Sequence, residues 1–173
     1  MPPCPGCGTE YAGTATTPAG YYRASPDCVA TYHDLSGLIL NNAARLGPSQ
    51  QLCSDTYAAQ HVGPRMRPIT TWFALVGLHL ALDHARTGPE VRAVHQHLSA
   101  SGGPWPTFVA PDSPGPLTVR DVPRTLEGDA LGRGVTAWAQ AVWQTWLPVH
   151  EAVASLCLQA RASWGFHDRR RAT

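Results

Sequence analysis

The chain has 173 residues, 43% of them hydrophobic and six of them Trp, so it has room for one domain with a real core. Its net charge is +1 and only 14% of its residues are charged, which leaves no basic or acidic field to announce nucleic acid as a partner. Residues 1–20 lack the apolar core of a signal peptide, and no apolar run is long enough to span a bilayer. A cytoplasmic, reducing location is the expectation.

The elements follow in chain order. Residues 1–24 read as a loop-rich segment opened by Cys4-Pro5-Gly6-Cys7-Gly8. Ser25-Pro26-Asp27 is a helix start, with Ser as N-cap, Pro at the first position and an acid in the first turn. The helix is expected from Pro26 to about Arg45, with Val29, Tyr32, Leu35, Ile39 and Leu40 inward and Gly47-Pro48 as its stop. A second helix is expected from about Ser49 to His61, a third from about Pro68 to Arg86, and a fourth from Pro89 to about Ser99. Residues 101–117 are rich in Pro and Gly but carry Trp105 and Phe108, which suits an ordered covering loop. Thr118 to Asp121 resembles a capping box with Asp in place of Glu and predicts a short helix there. A last long helix is expected from about Gly134 to Trp164, bent at Pro148. Residues 168–173, with three consecutive Arg, read as a disordered tail. Together these predict an all-α, single-domain bundle of about five helices over residues 1–173.

Several residues can carry chemistry. Two Cys separated by Pro-Gly form a tight turn that aims both sulfurs at one spot, which is half of a tetrahedral zinc site. A redox pair and incidental thiols are the other readings, and five Cys cannot pair fully. Cys28 falls in the first turn of the first helix, where the helix dipole favours a thiolate; a small buried residue is the alternative. Cys53 and Cys157 lie among apolar helical residues and read as core. His61 ends the second helix, either reaching a ligand or solvated. Asp55 and Gln60 can hydrogen-bond to metal ligands, or Asp55 can serve as a helix-end charge. His79 is the polar residue in an apolar run, either a satisfied core His or a ligand or base. His84 reads as exposed. Trp143, Trp146 and His150 share a helix face by their spacing, with Trp138 at its edge. They read as core, or with His79 as the lining of a pocket for a small molecule. His33, His95, His97 and His167 are expected at the surface.

The chain resembles a bacterial family of small proteins of unknown function. The resemblance rests on CPGCG at 4–8, ASPDC at 24–28, DTYAAQH at 55–61, the His79 segment and the helix from Trp143 to His150. Val62 stands where that family has Pro, and Glu151 where it often has a second His. The resemblance implies roles for Cys4, Cys7, Cys28, Asp55, Gln60, His61, His79 and His150.

Three readings of function result. In the first, Cys4, Cys7, Cys28 and His61 form a closed Zn2+ site that pins the N-terminal knuckle to the bundle. In the second, His61, His79 and His150, with Asp55 or a Cys, form an open site of a metal-dependent hydrolase or transferase, with His79, His150 and Asp55 as catalytic candidates. In the third, Cys4 and Cys7 are a thiol switch. The first is the main expectation, with no nucleic acid or membrane as partner.

Overall fold

A computed structural model describes residues 3–13 and 20–161. Six α-helices build it: α1 (Pro26–Asn41), α2 (Ala43–Gln60), α3 (Pro68–Leu78), α4 (Gly88–Ser101), α5 (Ala130–Thr145) and α6 (His150–Arg161). Among the described residues there is no strand, so the fold is all-α in one domain. Among the described residues no helix is long and apolar enough to cross a membrane. The expected tail at 168–173, His167 and the last helix beyond Arg161 lie outside the described residues.

α2 is the central element and packs against α1, α3, α4 and α5. Its second half is buried on every side, with Asp55, Thr56, Tyr57, Ala58, Ala59 and Gln60 all enclosed. A helix enclosed all round needs no apolar stripe, only satisfied polar groups. Thr56 meets this by donating its hydroxyl to the Leu52 carbonyl at 2.6 Å.

α1 starts as its sequence dictates: Ser25 accepts from the Cys28 amide at 3.3 Å, with Pro26 in the first turn. It ends earlier than expected. Asn42 breaks the helix, donating its side-chain amide to the Leu38 carbonyl at 2.8 Å and its backbone amide to Ile39. Gly47-Pro48 does not stop a helix; it lies inside the first turns of α2. Cys28, Leu35 and Ile39 form the buried face of α1, and Leu40, one step round the helix, is 57% exposed.

α3 begins at Pro68, and its last turn widens into a π-helical turn over His79–Asp83. α4 starts with a complete capping box between Thr87 and Glu90. The capping box at Thr118 and Asp121 forms as expected and opens a single 3-10 turn, Val119–Asp121. The long final helix is broken, not bent: Pro148 sits in a 3-10 turn, Leu147–Val149, between α5 and α6. α5 also starts four residues earlier than Gly134, at Ala130.

Residues 102–117, the expected covering loop, lay two aromatic rings against α3. Trp105 meets Phe73 edge-on at 5.8 Å, and Phe108 stacks on Trp72 at 6.0 Å. Behind them, His95 is not a surface residue. Its ring stacks on Phe73 at 4.8 Å, and its Nε2 is buried without a hydrogen-bond partner.

Burial pushes the His95 imidazole down to about 4, which sets a pH dependence. Below about pH 6.5 the unfolded chain takes up a proton that folded His95 refuses until about pH 4, so stability falls through that window. Replacing His95 with Gln is expected to shrink the loss between pH 7 and 4.5 by about 1–3 kcal/mol, read from urea unfolding at each pH. Equal losses in both proteins would contradict it.

Candidate metal centre

Three separate segments deliver four donors to one point. The first is the knuckle, closed by Gly8 N–H donating to the Cys4 carbonyl at 2.8 Å and Cys4 N–H to Thr9 at 2.8 Å. The second is the first turn of α1, which carries Cys28. The third is the C-cap of α2, His61, whose carbonyl accepts from the Arg23 amide at 3.0 Å. That last bond ties the segment before α1 to the end of α2.

Sγ of Cys4, Cys7 and Cys28 and a ring nitrogen of His61 lie within 4.8 Å of one another, and all four residues are buried. Cys7 and Cys28 sulfurs are 3.8 Å apart, and Cys28 Sγ is 3.3 Å from His61 Nε2. Thiolates at about 2.3 Å from a tetrahedral ion lie about 3.8 Å apart, and a thiolate and an imidazole nitrogen about 3.6 Å. The donor set therefore fits a tetrahedral metal in both chemistry and spacing.

His61 is set for this role. Its Nδ1–H donates to the Tyr57 carbonyl at 2.9 Å, which leaves the Nε2 lone pair facing the sulfurs. Its ring stacks on Tyr57 at 4.1 Å, and Tyr57 stacks on Tyr32 at 4.0 Å. The Ser25 amide donates to Cys4 Sγ at 3.4 Å, and the Tyr57 hydroxyl to Cys28 Sγ at 3.8 Å. These donors favour thiolates.

Cys4 and Cys28 are driven in opposite directions by their shared neighbourhood. Bonds from Cys28 and Cys7 drive the Cys4 thiol far below its ordinary range. Cys28 is pushed far above its own, by Cys4 first and Cys7 second. Burial pulls the His61 imidazole down, but the Cys4 and Cys7 sulfurs outweigh it and lift it to about 9. A dication resolves this opposition by replacing the protons.

The other expected site residues have different posts. Gln60 donates its amide to the Pro114 and Leu117 carbonyls at 2.8 and 2.7 Å, and accepts from Trp138 Nε1 at 3.0 Å. It holds the covering loop and leaves the metal ligands to others. Asp55 accepts from Gln51 at 2.9 Å, while its second oxygen is buried without a partner. Burial raises its carboxyl well above the usual range. It lies against α3 at Gly77, where a Cβ would overlap the carboxylate. Cys53 and Cys157 are core residues, and burial pushes each thiol up to about 12.

The three imidazoles of the expected open site face different partners. His61 Nε2 faces Cys28; His79 Nε2 is 3.1 Å from His84 Nε2; and His150 Nε2 donates to the Trp143 carbonyl at 2.9 Å. His150 stacks on Trp143 at 3.7 Å, so each ring covers the other's face, and Trp146 is 1% exposed. The Trp143 indole donates to Asp83 at 3.2 Å, and Asp83 accepts from His79 Nδ1 at 2.8 Å. His79, Asp83, His84, Trp143 and His150 thus form one polar-aromatic cluster. Sequence reasoning passed over Asp83 and His84 in it.

The chain belongs to a family of unknown function (DUF5946), whose family model matches residues 2–147. No curated protein and no solved structure matches it.

Gly6 controls how closely the knuckle approaches His61. A Cβ there would overlap the Arg23 carbonyl oxygen and lie 2.5 Å from His61 Cδ2. Substituting Gly6 by Ala is expected to weaken metal binding about 5- to 150-fold, the equivalent of overpacking by about 1–3 kcal/mol. Chelator competition measures it, and unchanged affinity would show that the knuckle has slack.

Proposed function

We propose that this is a zinc-binding protein whose closed metal centre fastens the N-terminal knuckle to the helical bundle. The observation that carries the reading is the convergence of four buried donors from Cys4, Cys7, Cys28 and His61. Three soft thiolates and one imidazole select zinc over hard cations such as Mg2+ or Ca2+. Four protein ligands fill a tetrahedral shell, so no position is left for substrate. In this reading the ion supplies folding energy, and chemistry takes place elsewhere.

The centre also supports a neighbouring cavity of about 390 Å³. Pro5 of the knuckle, Tyr21, Tyr22, Arg23 and the Gly63-Pro64 turn after His61 line it. Two of the three segments that supply ligands, the knuckle and the end of α2, therefore also adjoin the cavity wall. A small, largely apolar molecule is the occupant that suits such a lining. A reducing cytoplasm suits the reading as well, because all five Cys are free thiols.

The expected result is one zinc per chain surviving dialysis after purification without chelator. Replacing Cys28 with Ser is expected to abolish it and to cost several kcal/mol of stability, by order of magnitude. Replacing His79 with Ala is expected to leave this tightly held zinc in place. Zinc retained without Cys28 but lost without His79 would overturn the closed centre in favour of an open histidine site.

A further inference from the structure

We propose that His79 and His84 form a second site for a divalent transition-metal ion, independent of the thiol centre. The argument starts from the backbone. In an α-helix, residues five apart point about 140° away from each other. A π turn, with roughly 4.4 residues per turn, brings the fifth residue back to within about 50° of the first. The π turn at His79–Asp83 therefore places Asp83 and His84 together on the side of His79. Without the turn, the two imidazoles would diverge.

The spacing of the pair suits chelation as well as the hydrogen bond it can form without an ion. Their Nε2 atoms are 3.1 Å apart, their ring centres 4.6 Å apart, and their planes at 84°. Two imidazoles that share an ion at about 2.05 Å, with nitrogens this close, subtend about 98° at the ion and place their ring centres about 4.8 Å apart. A linear N–H···N bond of the same length would separate the centres by about 5.4 Å.

The surroundings complete the design. The Asp83 carboxylate accepts from His79 Nδ1 at 2.8 Å, so Nδ1 carries the proton and Nε2 offers its lone pair. This is the carboxylate–imidazole–metal arrangement that fixes a ligand's tautomer and raises its basicity. Trp143 holds Asp83 in place through its indole N–H, and His150 stacks behind the indole. His79 is 7% exposed, whereas His84 lies at the surface, so the pair sits at the molecular rim. Two imidazoles leave the remaining positions to water or to a ligand from solution. The donor type selects imidazole-seeking ions such as Zn2+, Co2+, Ni2+ or Cu2+ and rejects Mg2+ and Ca2+. With half the ligands of the thiol centre, the site exchanges its ion readily.

The test uses untagged protein with zinc in the thiol centre, titrated with Co2+ and followed by its visible absorption. The expected result is one equivalent bound with weak visible bands and no thiolate-to-cobalt charge transfer in the near ultraviolet. His84→Ala, a surface substitution, is expected to abolish this binding, and D83N to weaken it about 10- to 100-fold. All three proteins are expected to retain their zinc, which separates this site from the first. No second equivalent at millimolar Co2+, or unchanged affinity in His84→Ala, would overturn the proposal and leave the pair as hydrogen-bonded imidazoles. Thiolate charge-transfer bands would also overturn it, by showing that cobalt had entered the thiol centre instead.

Discussion

Three sulfurs held within a few ångströms of one another, out of water, cannot all carry charge unless a cation joins them. Much of the described architecture around α1 and α2 follows from that requirement. The chain draws its donors from a turn near residue 5, a helix start at Cys28 and a helix end at His61, so no short segment can form the centre alone. The contacts that close it are backbone and aromatic ones. The Arg23 amide holds the His61 carbonyl, and the Tyr32–Tyr57–His61 stack fixes the imidazole plane. Burial and nearby Cys28 push the Tyr57 hydroxyl far above its ordinary range, so it remains a donor facing the sulfur.

α2 carries a second constraint, because its C-terminal half is enclosed and yet polar. Each polar side chain there answers a different neighbour. Thr56 bonds within its own helix, Gln60 bonds to the covering loop and to Trp138, and Asp55 bonds to Gln51. Asp55 is the incomplete case. Its carboxyl is buried against Gly77 with one oxygen unpartnered, and burial favours its neutral form. That places an acid beside the helix whose next turn is π-helical, where the polar-aromatic cluster begins.

Much of this was legible in the sequence, for identifiable reasons. Ser25-Pro26 and Thr118…Asp121 are local signals, complete within four residues, and both formed where expected. The Cys3His set was legible because a CxxC turn, a helix start and a helix end each present a donor by local geometry. What stayed hidden depended on the third dimension or on backbone departures. Gly47-Pro48 reads as a stop, but Asn42 had already broken the helix, and α2 runs on through Pro48, its sixth residue. His84 is exposed as expected, but its approach to His79 depends on the π turn, which the sequence does not announce. Gln60, beside a ligand in sequence, points away from it because the helix carries the two side chains in different directions.

That divergence at the end of α2 has a thermodynamic consequence. His61 grips the metal centre while Gln60, one residue earlier, holds two carbonyls of the covering loop and the Trp138 indole. A single helix terminus thus serves as a shared lever. Any molecule that settles on the loop and favours one position of Gln60 changes the free energy of placing His61, and the ion must alter that molecule's affinity by the same factor. Linkage of this kind needs no large motion.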